Sequence, residues 1–297
     1  MSRFSGHRHL YVGLNSFDEV YTRLKKIIGI AAIVFFCACA IFSGVVFAHQ
    51  YKDAKNSAEQ FENLTDLISE VDTSVLEPTH EDNETDNGET NSEEPVTELT
   101  DEERASLEAE LAKERYNALF EQNSDFVGWI SIEGTNINYP VMWTPNNPDF
   151  YLKHSFEKEY SDFGVPYLDE DCVPGESNNY VIYGHHMKNE TMFHDLCNYA
   201  SKDFYDEHPT IKFDTMFGFG EYQIVAVFRF DTNNDTFRYN QFTDMDELHF
   251  ESFMNSVHLR QLYDTGVDAE YGDKLITLST CEYTYTNGRF VVVAKKI

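Results

Sequence analysis

Hydrophobic and polar positions divide the 297-residue chain into stretches of different character. Ile27–Phe47 is a run of roughly 20 residues without a charge, long enough to cross a bilayer as a helix. Farther on, Phe61, Leu64, Leu67, Ile68 and Val71 fall at helical spacing and predict a short helix. Thr100 with Glu103 three positions on is a capping-box signature. Leu107, Leu111, Tyr116, Leu119 and Phe120 continue from it as the apolar stripe of an amphipathic helix, which Gln122–Phe126 breaks.

Past this helix the period shortens. Val127–Ile132 and Ile137–Val141 read as two strands around the turn Glu133–Asn136, with Trp129 and Trp143 as packing residues. Further strands are expected around Val165–Leu168, Tyr180–Tyr183, Thr210–Asp214, Glu221–Phe230, Leu275–Thr280 and Phe290–Ala294. Thr191–Tyr199 reads as a short helix. Met245–Leu262, with Leu248, Phe250, Phe253, Met254, Val257 and Leu262 in phase, reads as a longer one. Many short strands with few helices predict a mainly β fold with peripheral helices, a closed or nearly closed barrel.

Charge sharpens the division into regions. The formal net charge of −30 excludes the basic surface that nucleic-acid binding needs. Much of it is local: Glu77–Pro95 has no aromatic or aliphatic side chain apart from its prolines, and such a stretch predicts a self-repelling, disordered spacer. Before the apolar run, Arg3, Arg8, Arg23, Lys25 and Lys26 face only Asp18 and Glu19. Basic residues mark the cytoplasmic flank of a membrane span, and the run exceeds the usual apolar core of a cleaved leader. The expected organisation is a cytoplasmic tail (1–26), a single-pass anchor (27–47), an acidic extracellular spacer (48–103) and a folded domain (104–297). Asp169-Glu170-Asp171 is expected to be a solvated turn rather than a metal cluster.

Of the five cysteines, Cys37 and Cys39 lie in the apolar run, and Cys172, Cys197 and Cys281 are scattered through the folded part. No C-x-x-C pair exists, so neither a zinc knuckle nor a thioredoxin-like motif is supported, and spacing does not indicate pairing of Cys172 with Cys197. Cys281 stands out by position. Asn287-Gly288 between two strand-like runs signals a hairpin, which sets Cys281 at the end of one strand and Arg289 at the start of the next. A thiol at a strand end beside a cation is open to substrate and favoured as thiolate. The same residue types also fit a buried small hydrophobe in a strand.

Three spaced motifs carry a resemblance. Thr277-Leu278-Ser279-Thr280-Cys281 followed by Gly288-Arg289-Phe290-Val291-Val292-Val293-Ala294-Lys295 is similar to the signature of the sortases, cysteine transpeptidases of Gram-positive cell surfaces. Asn179-Tyr180-Val181-Ile182-Tyr183-Gly184-His185-His186-Met187-Lys188-Asn189 resembles their histidine motif, in which the histidine directly after the glycine is catalytic. Asn123–Trp129, running on to Tyr139-Pro140-Val141, resembles the opening of class B sortase domains, and a long helix inserted before the cysteine strand is likewise similar to what class B members carry.

The resemblance implies a sortase-like closed β-barrel. It also implies Cys281 as nucleophile, His185 as proton donor and acceptor, and Arg289 as the group holding substrate carbonyls and the oxyanion, with Thr280 and Ser279 lining the substrate groove. If the strand before Gly184 continues, His186 points away from His185. Glu282 is open between orienting a catalytic group and lying in an exposed turn. The implied partners are secreted proteins with a C-terminal sorting signal and an amine of the peptidoglycan precursor, lipid II. No metal or organic cofactor is implied. A cysteine hydrolase using water, or a membrane-anchored binding protein with a structural cysteine, are the alternatives. The preferred signal, the client and the acceptor amine are not legible in the sequence.

Overall fold

In the computed structural model the described residues are 10–76 and 99–297, with side chains from residue 20 onward. The acidic run Glu77–Pro95 and the first nine residues lie outside them. The chain forms two compact units, residues 1–55 and 56–297.

The first unit is helical. Its helix, α1 (Leu10–Thr65), carries every side chain from Ile27 to Phe47 exposed, and it is long and apolar enough to cross a membrane. The last residues of α1 belong to the second unit. There Phe61 and Leu64 are buried, Phe61 stacks edge-on against Tyr139 with centroids 4.9 Å apart, and Ser57 Oγ lies 3.4 Å from Ser161 Oγ. The spacer expected over 48–103 is therefore helical at its start, and residues 56–76 are part of the folded unit. The short apolar period at Phe61 and Leu64 is that contact.

The second unit is a closed barrel with strand order β1-β2-β3-β4-β7-β8-β6-β5. The strands are β1 (Phe126–Ser131), β2 (Asn138–Met142), β3 (Tyr167–Leu168), β4 (Asn179–Tyr183), β5 (Thr210–Thr215), β6 (Glu221–Asp231), β7 (Leu275–Glu282) and β8 (Gly288–Lys296). Antiparallel β5–β1 pairing closes the barrel, while β2–β3 and β4–β7 run parallel. A parallel pair cannot be joined by a hairpin, so everything between β4 and β7 is a long excursion that returns the chain beside its own earlier strand. Ile276, Leu278, Val291, Val292, Val293, Ile224, Val227 and Phe228 are fully buried in the sheet.

Helix α2 (Asp101–Gln122) starts with the capping box read from the sequence: Glu103 N–H donates to Thr100 Oγ1, and Thr100 N–H donates to Glu103 Oε2 at 2.9 Å. It buries Ala112, Tyr116 and Leu119, whereas Phe120 is exposed. A six-residue helix, α3 (Lys202–Glu207), precedes β5. Helix α4 (Glu247–His258) lies between β6 and β7, capped by Asp246, and buries Phe250, Phe253, Met254 and Val257. Leu248, expected on that face, is exposed, because helical phase sets it a quarter-turn or more from the buried side chains. Trp129 is buried and donates from Nε1 to Asn138 at 2.7 Å.

Candidate active site

β4 and β7 lie side by side with Tyr183 opposite Ser279, and β7 and β8 with Cys281 opposite Arg289. Cross-strand partners project from the same face of a sheet. Hence the thiol and the guanidinium, eight positions apart in sequence, are neighbours at the rim of the barrel. The hairpin between them runs through Tyr283–Asn287, with Asn287 in the left-handed region at φ 62°. Gly288 answers a different need. A Cβ there would lie 2.6 Å from the carbonyl oxygen of Glu282, so the turn closes only over a bare backbone.

Gly184 ends the β4 pairing by donating to Ser279 O at 3.2 Å, and the two histidines follow. A Cβ on Gly184 would lie 2.6 Å from the Phe193 ring, which packs directly on this backbone. His185 Nε2 lies 2.7 Å from the carbonyl oxygen of Leu152. A carbonyl only accepts, so Nε2 carries the proton and Nδ1 is the nitrogen left for chemistry. Burial holds this imidazole below its ordinary pKa, with nearby Lys153 acting the same way and the Leu152 carbonyl and Asp162 opposing.

His185, Cys281, Arg289, Ser279 and Thr280 all line one cleft of about 680 Å³. Its walls include Leu152, Tyr167, Tyr183, Tyr239 and Arg238. Cys281 and Arg289 are half-buried, while Ser279 and Thr280 are buried. The last two have committed hydroxyls: Ser279 Oγ lies 2.7 Å from Tyr239 Oη, and Thr280 Oγ1 donates to Gly184 O at 2.8 Å. Arg289 Nη1 donates to Gly288 O at 3.0 Å and, more weakly, to Asn287 O at 3.4 Å. That leaves Nε and Nη2 for a ligand, and no hydrogen bond joins the three side chains to one another among the described residues.

Among the surrounding groups, Asp169 differs from its sequence reading. Asp169 is buried, 3% exposed, and accepts from Tyr183 Oη at 2.6 Å and from the Asp171 N–H at 3.0 Å. It is thus a structural carboxylate rather than part of a solvated turn, since a phenol and a backbone amide replace its water. Tyr167 repeats the pattern by donating to Asp149 at 2.6 Å. Glu282 turns away from the cleft to meet Arg229 Nε at 3.5 Å and the Thr284 N–H at 2.9 Å, so it orients neither His185 nor Arg289. Cys172 is buried, Cys197 half-buried, and both are free thiols.

Comparison with known proteins places this arrangement. Residues 130–297 match the sortase domain family model. It belongs to the sortase family. Sortase B of Staphylococcus aureus is 33% identical over 195 residues, 65% of this chain and 78% of that protein. Sortase B of Listeria monocytogenes is 34% identical over 178 residues, 59% and 71% of the two chains. Among solved structures, a Staphylococcus aureus sortase B–substrate complex aligns with TM-score 0.56 and 32% identity, over 62% of this chain and 85% of that one. Clostridium perfringens sortase B aligns with TM-score 0.57 and 31% identity, over 61% and 98%. This sortase is therefore of the class B type, a cysteine transpeptidase that anchors proteins to the cell wall.

Proposed function

We propose that Cys281 is the nucleophile of this transpeptidase, His185 its proton carrier and Arg289 its carbonyl clamp. The observation that carries the reading is the register pair Cys281–Arg289 on the rim of the cleft that His185 also lines. In the first half-reaction Cys281 Sγ bonds to the scissile carbonyl carbon of a sorting signal. Its proton passes through His185 Nδ1 to the departing amine, and the C–N bond breaks to leave a thioester. In the second half an amine attacks the thioester, His185 takes a proton from it, and the thiol is restored as the new amide forms. A neutral imidazole is the form this cycle starts from, and burial of His185 favours it. The free edge of Arg289 would neutralise oxyanion charge in both halves. Ser279 and Thr280 shape the groove wall, their hydroxyls holding Tyr239 and Gly184 in place.

The donors on this reading are secreted proteins with a C-terminal sorting signal, and the acceptor is an amine of the peptidoglycan precursor lipid II. The tail 1–26 is cytoplasmic, residues 27–47 span the membrane once, and the barrel acts outside the cell. The test uses the full chain in detergent with a sorting-signal peptide. Mass spectrometry is expected to find a thioester on Cys281, absent from Cys281→Ala, and a new amide when a glycine-type or diaminopimelate-type amine is added. Free acid as the sole product at saturating amine would replace transfer by hydrolysis.

A further inference from the structure

The second histidine of the pair is not idle. His186 Nδ1 lies 2.9 Å from the carbonyl oxygen of Cys281, ninety-five positions away. Ladder bonds between parallel strands recur every second residue along each strand. Gly184 N–H takes Ser279 O, so the next carbonyl of β7 in line is that of Cys281, and its ladder partner would be the backbone N–H of residue 186. β4 has ended by then, and the backbone at His186 instead bridges to Met192. The imidazole fills the vacated place.

Its surroundings fix it there. The His186 ring packs against Tyr283 (centroids 5.2 Å) and edge-on to His194 (4.6 Å), and Tyr283 Oη donates to His186 O at 3.4 Å. Cys197 Sγ sits 3.4 Å from His186 Nδ1 and 3.9 Å from the same Cys281 carbonyl. Burial pushes the Cys197 thiol up to about 12, with Glu282 adding to the effect, so it stays protonated as a second, weaker donor.

We propose that His186 is a positioning residue of the transfer reaction: its Nδ1–H holds the Cys281 carbonyl and thereby fixes the nucleophile relative to His185, the adjacent residue on the same loop. The inference rests on the reading above that Cys281 is the nucleophile. One bond between residues 186 and 281 sets the separation of the two reacting side chains, because each lies next to, or on, a bonded residue. Losing it leaves a half-buried carbonyl short of its main donor and frees the end of β7 to shift. A misplacement of the order of 1 Å costs about 10²-fold in rate.

The experiment compares His186→Ala, His186→Asn and the unaltered full chain in detergent. Asn carries an amide N–H near the place of Nδ1, so it retains the donor without the ring. His186→Ala is expected to lower kcat by about 10- to 100-fold with KM for the sorting-signal peptide nearly unchanged, and His186→Asn to recover most of the loss. A kcat for His186→Ala within about twofold of the unaltered chain, or a folded His186→Asn as impaired as the alanine variant, overturns the inference. Independently of turnover, long-range proton–nitrogen spectra of histidine-labelled protein are expected to place the His186 proton on Nδ1. A proton on Nε2 overturns the inference even if the alanine variant does not fold. Should the unaltered chain form no thioester or amide, the transferase reading fails by itself, and the spectrum alone decides the hydrogen bond.

Discussion

The parallel strands β4 and β7 meet very different surroundings at their two ends. At their start, Asn179 is fully buried: its amide donates to Phe242 O at 2.8 Å, its carbonyl oxygen accepts from Thr277 Oγ1 at 3.0 Å, and its backbone N–H donates to Thr243 O at 3.1 Å. Each of these three groups has a partner from a distant part of the chain. At their far end the backbone pairing stops, and side chains take over what the ladder no longer supplies. His186 meets the Cys281 carbonyl, His185 meets Leu152 O, and Arg289 reaches back to its own turn. The first end is saturated and buys stability; the second keeps atoms in reserve, namely the thiol, His185 Nδ1 and one edge of a guanidinium. A strand is most useful to chemistry where its pairing runs out.

The sharpest way to break this contrast is Arg289→Ala. Losing one oxyanion donor is expected to cost about 10²–10³-fold in kcat, while alkylation of Cys281 shows the site still formed. Turnover near normal would remove Arg289 from the chemistry. A change at the saturated end should do the reverse. Asn179→Ala strands Thr277 and the Phe242 carbonyl, and the loss of these buried partners is expected to cost about 2–3 kcal/mol in a urea unfolding midpoint. Its kcat per intact site should hardly move, and a large fall in kcat would show the two ends to be coupled. The smallest effect concerns pH. Burial lowers the pKa of His185 in the folded chain, so the unfolded chain binds more protons just below 6.5. Stability should therefore rise with pH through the window that ends near that value. His185→Gln should flatten this slope, and an unchanged slope would assign it to other groups.

Much of this was legible in the residues. Period-two runs gave the strands, Thr100 with Glu103 the start of α2, and Asn287-Gly288 the hairpin that pairs Cys281 with Arg289. What escaped depends on partners distant in sequence or lacking a side-chain signature. Asp169 looked solvated because its phenolic partner, Tyr183, is fourteen positions away. The Leu152 carbonyl that sets the His185 tautomer is a backbone atom, which any residue would supply. The tail of α1 read as the edge of a spacer because only Ser57, Phe61 and Leu64 are buried there. His186 read as pointing away from His185 on the condition that β4 continues. The strand stops instead, and that stop recruits the ring.

The Phe193 ring, seated on the bare backbone of Gly184, acts as a registration mark for the loop that follows. Sliding the chain by one residue would bring Tyr183 or His185 over the aromatic plug, where no side chain fits. The same slip would put one imidazole in the other's place. On the roles proposed above, one missing methyl-sized volume thus decides which histidine meets the substrate and which is left to hold the strand.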